Sequence, residues 1–181
     1  AVVAAIVPVA LAGALPHTAT DGNYYFPITA DPEKYQTQPA VDGERVTWSD
    51  GWDAVYGIRL YDIATGGYRW VAQGSPTQAL SSISGDIVTW LDDRAAGWQF
   101  NTMLYDLAHE VEFQVSQYTS FRIDPSYLWP ADVDGPLVAY TEPGWYEWDL
   151  YLYDLSVDSD GDGIPNYRDP DRPSPDPARR A

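Results

Sequence analysis

Between residues 158 and 171 the chain reads DSDGDGIPNYRDPD, with carboxylates on alternate residues at Asp158, Asp160 and Asp162. Counted from Asp158 as position 1, side-chain oxygens fall at positions 1, 3, 5, 9 (Asn166) and 12 (Asp169), a glycine (Gly163) at 6 and the Ile164 carbonyl at 7. That is the ligand order of a calcium loop, in which oxygens converge from alternate residues and glycine allows the sharp turn. Calcium is hard, takes six to eight oxygens and tolerates irregular geometry, whereas magnesium demands a tighter octahedron. A solvated acidic linker is the plain alternative for any charge run. The spacing, the glycines and the Ile164-Pro165 step favour Ca2+, with Asp158, Asp160, Asp162, Ile164, Asn166 and Asp169 as expected ligands. Asp171 supplies a further oxygen or starts a second site.

No helical pattern flanks this loop, so it is not an EF-hand. It resembles a thrombospondin type 3-like calcium repeat, which implies a secreted or surface protein. Asp169 stands where an EF-hand carries a bidentate glutamate, pointing to weak binding of the extracellular kind, roughly 10⁻⁴ to 10⁻³ M. A site that weak fills only outside cells, so the expected location is extracellular or at the cell surface.

Other chemistry is sparse. The two histidines, His17 and His109, lie in no motif with a serine nucleophile, and no glycine-rich phosphate loop is present. With 27 acidic residues some carboxylate pair is inevitable and carries no signal. No enzyme is expected. Three Gly-Trp dipeptides, at Trp52, Trp98 and Trp145, recur with further aromatics nearby; they fit a stacking surface for sugar rings, a contact with another subunit, or packing over their own sheets.

The elements that must position these residues are repeats. PAVDGERVTWSD (39–50), SSISGDIVTWLD (81–92) and PADVDGPLVAYTE (130–142) align on Gly43, Gly85 and Gly135. Each is followed by a Gly-Trp loop and then by IRLYDI (58–63), TMLYDL (102–107) or LYLYDL (150–155). Alternation such as Val46 and Trp48 against Arg45 and Thr47 marks strands, and no amphipathic helical period runs for ten residues. After LYD a further strand follows a tight turn at 64–73 and 108–117; in the third copy the acidic run begins instead. Asp62, Asp106 and Asp154 read as turn-setting residues. The repeats resemble TolB-like β-propeller blades over about 37–157. The resemblance implies an all-β chain of three propeller-blade-like antiparallel repeats (about 37–74, 75–120 and 121–157). Three copies fall short of the four to eight blades of a closed ring, so the expected sheets do not close on themselves.

Composition bounds the partners. The chain has 181 residues, no cysteine, one lysine (Lys34) and a net charge of −17. That field repels nucleic acid and anionic membranes and leaves cations as the natural counterpart. The apolar segment AVVAAIVPVALAGAL is too short and too proline-interrupted for a transmembrane helix. It reads either as the remnant of an export signal or, within a 1–36 segment, as a strand or plug for its own chain or a neighbour. The tail 172–181 reads as a Pro-rich tether. The expectation is a secreted calcium-binding structural protein that self-assembles into a fibre or surface layer, a homo-oligomer or polymer in which Ca2+ offsets part of the charge. The alternative is an adhesion or carbohydrate-binding module with a glycan partner.

Overall fold

The computed structural model describes residues 17–18, 24–25, 27–29, 34–52, 55–74, 77–94, 100–116, 129–143 and 148–171. The apolar segment 1–16, Trp98, Trp145 and the tail 172–181 lie outside the described residues. Among those described the structure is all-β, without a helix. A short hairpin pairs β1 (His17–Thr18) with β2 (Tyr24–Tyr25). Three antiparallel sheets follow, one per repeat, and they are not closed into a ring. Sheet 1 has the order β3 (Tyr35–Asp42), β4 (Arg45–Trp52), β5 (Val55–Asp62), β6 (Gly67–Ala72). Sheet 2 repeats it with β7 (Gln78–Ser84), β8 (Ile87–Asp92), β9 (Asn101–Asp106), β10 (Val111–Gln114). Sheet 3 has only β11 (Asp132–Asp134), β12 (Leu137–Pro143) and β13 (Trp148–Asp154).

Each sheet therefore gains an inner strand ahead of the turn glycine. In sheets 1 and 2 that strand lacks a regular two-residue period because it carries a bulge. Register shifts between Thr37 and Ala40 and between Ala79 and Ser82, with Gln38 and Leu80 at φ 56° and 60°. A bulge inserts a residue and breaks the two-residue period that marks a strand. It also serves packing, because the Gln38 side-chain oxygen accepts from the Ser49 hydroxyl (2.9 Å) and the Leu80 N–H (3.1 Å).

The inner strands stitch neighbouring sheets together. The Gly85 N–H donates to Asp42 (2.6 Å), Arg45 donates to the Gly85 carbonyl (2.8 Å) and Asp86 (2.6 Å), and the Ser81 hydroxyl donates to Thr47 (3.2 Å). Between sheets 2 and 3 the Gly135 N–H donates to Ser84 (3.0 Å) and the Ser82 hydroxyl to Asp132 (3.0 Å). Above these contacts lie two apolar layers. Ile58, Leu60 and Val71 of sheet 1 meet Ile83, Val88, Trp90 and Met103 of sheet 2. Leu104 and Val115 meet Val133, Val138, Tyr140 and Leu155 from the third repeat. Sheet 2 is thus buried on both faces, and Thr89, which alternation alone would expose, is fully buried.

The LYD aspartates cap turns as their sequence position implies. Asp62 accepts from the Thr65 N–H (2.8 Å), Asp106 from those of Ala108 (2.9 Å) and His109 (3.1 Å), and Asp154 from that of Ser156 (2.8 Å).

Leu104 is fully buried between sheets 2 and 3. Leu104→Ala is expected to cost about 2–5 kcal/mol in urea unfolding, the range for deleting a buried leucine side chain. A cost below about 1 kcal/mol would contradict the sheet 2–sheet 3 seam as a core.

Candidate metal centre

The acidic run occupies the place in the chain where sheets 1 and 2 continue into a fourth strand. Its closely spaced aspartates and glycines favour local turns over strand pairing. Gly161 and Gly163 sit at φ 79° and 90°, a region costly for side-chain-bearing residues, so the turn depends on glycine at both places. Around these turns each aspartate binds a nearby backbone donor. Asp158 accepts from Gly161 and Gly163 (both 2.8 Å), Asp160 from Asp162 (3.3 Å), and Asp162 from Ile164 (2.7 Å). The result is a small ring of carboxylates. One ligand oxygen from each of Asp158, Asp160 and Asp162 lies within 4.8 Å of the others. Oxygens sharing one calcium at about 2.4 Å are at most about 4.8 Å apart, so these three fit one ion, with a second lone pair on each oxygen.

The other expected ligands divide. Asn166 turns to Ser159, accepting from its N–H (3.0 Å) and donating to its hydroxyl (2.7 Å), and so closes the loop's base. Asp169 is not in the close trio, but its charge acts on Asp160 and one of its oxygens is buried without a partner. Its other oxygen accepts from the Asp171 N–H (2.7 Å). Ile164 keeps its side chain exposed, leaving only its carbonyl to offer.

Electrostatics separates the carboxylates. The Gly163 and Gly161 N–H groups hold Asp158 below the ordinary carboxyl value. At Asp160 the Asp162 N–H pulls downward, but desolvation, the charges of Asp162 and Asp169 and the neighbouring Asp158 together push the carboxyl above its ordinary value. A bound cation would relieve that crowding, and the buried Asp169 oxygen would gain a partner.

Tyr167 ties the loop to the sheets. Its hydroxyl donates to Asp106 at 2.6 Å, and its ring packs edge-on against Phe113 at 6.3 Å, itself 5.7 Å from Tyr153. Asp106 also binds the His109 ring nitrogen at 2.7 Å. Burial pushes the Asp106 carboxyl up, but Tyr167, His109 and the Ala108 N–H outweigh it and hold the group below its ordinary value. Burial, followed by the bond to Asp106, pushes the Tyr167 phenol up to about 12. The ligand pattern does not single out Tyr167. The signal that finds it is an aromatic ring in a stretch with almost nothing else apolar to bury.

Of the Gly-Trp loops, Trp52 is described. It is exposed and stacks on Tyr35 (centroids 6.2 Å apart, planes at 28°). It borders a cavity of about 640 Å³ shared with Tyr56, Trp70, Lys34 and Asp50.

In the crystal structure of TolB from Acinetobacter baumannii a comparable arrangement covers 76% of this chain at 14% identity with a TM-score of 0.54. The fold is TolB-like. This chain spans 34% of that TolB chain. A putative TolB from Agrobacterium tumefaciens aligns over 78% of this chain and 57% of its own, at 16% identity and a TM-score of 0.48. No family model matches the chain, and no curated protein matches it.

Tyr167→Phe keeps the ring and removes the bond to Asp106, with an expected loss of about 1–2 kcal/mol at neutral pH. Asp106 has a depressed carboxyl, so its contribution is full above the ordinary value of 3.8 and is lost as pH falls through the folded value. The gap between wild type and Tyr167→Phe is therefore expected to stay constant from pH 8 to 5 and to shrink below about pH 4. A gap independent of pH down to 2 would show that the hydroxyl acts through something other than the Asp106 charge.

Proposed function

We propose that this chain is a secreted, calcium-binding structural module whose copies associate into a larger extracellular assembly. The observation that carries this reading is what happens after β13. In place of a fourth strand, the chain builds a loop that gathers three carboxylates, and the third sheet is left short with its far face uncovered. The loop's resemblance to a thrombospondin type 3-like repeat supports calcium and an extracellular setting, where the ion is abundant enough for a weak site. When bound, the ion would be held by Asp158, Asp160 and Asp162, with Asp169, Asn166 and the Ile164 carbonyl as the remaining candidates. It would act as a structural cross-link, with no reaction to support.

A second reading, a carbohydrate-binding module, is favoured by the exposed Trp52–Tyr35 pair beside its cavity. Trp52→Ala separates the two readings. Loss of glycan-induced tryptophan fluorescence change with assembly intact supports the module; assembly lost without any glycan response supports the structural role.

Calcium binding is tested on the monomeric chain by thermal melts. At tenfold excess over a roughly 10⁻³ M dissociation constant the ion adds about 1.4 kcal/mol, and Asp160→Asn with Asp162→Asn is expected to abolish the gain. A gain that survives both substitutions would place the ion elsewhere. For assembly, negative-stain images before and after EGTA are expected to show assemblies that fray or dissolve on chelation. Monomers throughout, at high calcium and high protein, would overturn the reading.

A further inference from the structure

The first two repeats bury the same two positions of the LYD strand against the next sheet, and the third has no next sheet among the described residues. Ile58 and Leu60 of sheet 1 are buried under sheet 2, and Thr102 and Leu104 of sheet 2 are buried beside sheet 3. Their equivalents in sheet 3, Leu150 and Leu152, are 76% and 66% exposed. Trp148 lies on the same side of β13, and its ring meets Trp129 edge-on at 4.9 Å.

What each such face receives is also repeated. Sheet 2 offers Val88 and Trp90 to sheet 1, and sheet 3 offers Val138 and Tyr140 to sheet 2. The corresponding pair in sheet 1 is Val46 and Trp48, on its outer face. There Trp48 and Tyr61 are already buried, at 4% and 2% exposure, but the cover that includes residues 28–29 is loosely packed: cavities of about 250 and 150 Å³ are lined by Ile28, Thr29 and the sheet, and the Trp48 ring nitrogen is buried without a partner. The turns repeat the same polarity. Asp42 accepts the Gly85 N–H and Ser84 accepts the Gly135 N–H, which leaves Asp134 as the equivalent acceptor at one end of the stack and Gly43 as the equivalent donor at the other.

We infer that copies of this chain stack head to tail, with the Leu150–Leu152 face of sheet 3 on the Val46–Trp48 face of sheet 1 in a second copy and Asp134 accepting the second copy's Gly43 N–H. The inference rests on the assembly reading above and specifies its interface. Residues 28–29 give way as the second copy docks. The contact is heterologous, so it propagates into a filament or closes into a ring according to the rotation per copy.

Two variants test it by sedimentation. Leu150→Asp with Leu152→Asp disables the sheet 3 face, and Tyr68→Asp, at a half-exposed position on the sheet 1 outer face, disables the other. With folding confirmed by circular dichroism, each alone is expected to be monomeric. An equimolar mixture is expected to double in mass, because each variant keeps one good face. Asp134→Ala is expected to weaken wild-type association roughly fivefold to tenfold with its melt unchanged. If wild type assembles and Tyr68→Asp assembles equally well, a symmetric sheet 3 to sheet 3 contact replaces this one. If wild type assembles and the mixture stays monomeric, head-to-tail stacking is overturned while assembly stands. A wild type that is monomeric at every concentration overturns both.

Discussion

A sheet with apolar side chains on both faces needs a neighbour on each side, and the rest of this structure follows from that constraint. Sheet 2 satisfies it inside the chain: Trp90, Val88 and Met103 face one neighbour, and Leu104 the other. Burying a side chain of this size is worth about 1.5–3 kcal/mol, so the stack is held chiefly by its two apolar layers. The inner-strand hydrogen bonds then set its register. Removing one partner of such a bond leaves a buried donor or acceptor unsatisfied, and a slipped stack would leave several at once. The ends differ from the middle because the constraint is met there in other ways, by residues 28–29 over Trp48 and by nothing described over Leu150.

The acidic loop belongs to the same constraint. Sheets 1 and 2 finish with a fourth strand, and sheet 3 finishes with a turn-rich loop whose one large ring, Tyr167, packs on Phe113 of β10 and bonds to Asp106. The loop is an end-piece for the sheet 2–sheet 3 seam as well as a set of carboxylates. Asp106 shows how one residue serves both. In each repeat its counterpart caps the turn after the LYD strand, but among the described residues only Asp106 also receives a tyrosine hydroxyl from outside its own repeat.

Much of this was legible because repetition filters noise. Three copies of the VTW (VAY in the third) and LYD elements identify β8 and β9 as strands more firmly than either could alone, and the missing element in the third copy reads directly as the missing strand of sheet 3. The inner strands were not legible, since the bulges at Gln38 and Leu80 erase the two-residue period on which strand reading depends. Alternation does not report burial here. Thr47, Ser49 and Thr89 are polar residues on the face opposite the Val-Trp pairs, yet a sheet stacked between neighbours has no solvent face, and all three are fully buried. In the loop, spacing found Asp158, Asp160 and Asp162 together. It did not show that Asn166 spends its amide on Ser159, because a ligand pattern lists oxygens without saying which are already engaged.

Charge compensation is a poor account of how calcium would promote association. One divalent ion removes two of seventeen net negative charges, and beyond a Debye length of about 8 Å at physiological salt even those are largely screened. A local mechanical effect is better matched to the geometry. The loop holds a carboxylate, Asp160, that its neighbours push toward protonation, and a buried Asp169 oxygen with no partner; both weaken the loop that carries Tyr167. An ion there would reinforce Tyr167 against the β9–β10 end of sheet 2 and so steady sheet 3 from its inner side. A steadier sheet 3 loses less conformational entropy when its outer leucines meet a partner, and preorganisation of that kind raises affinity without adding a single contact at the interface.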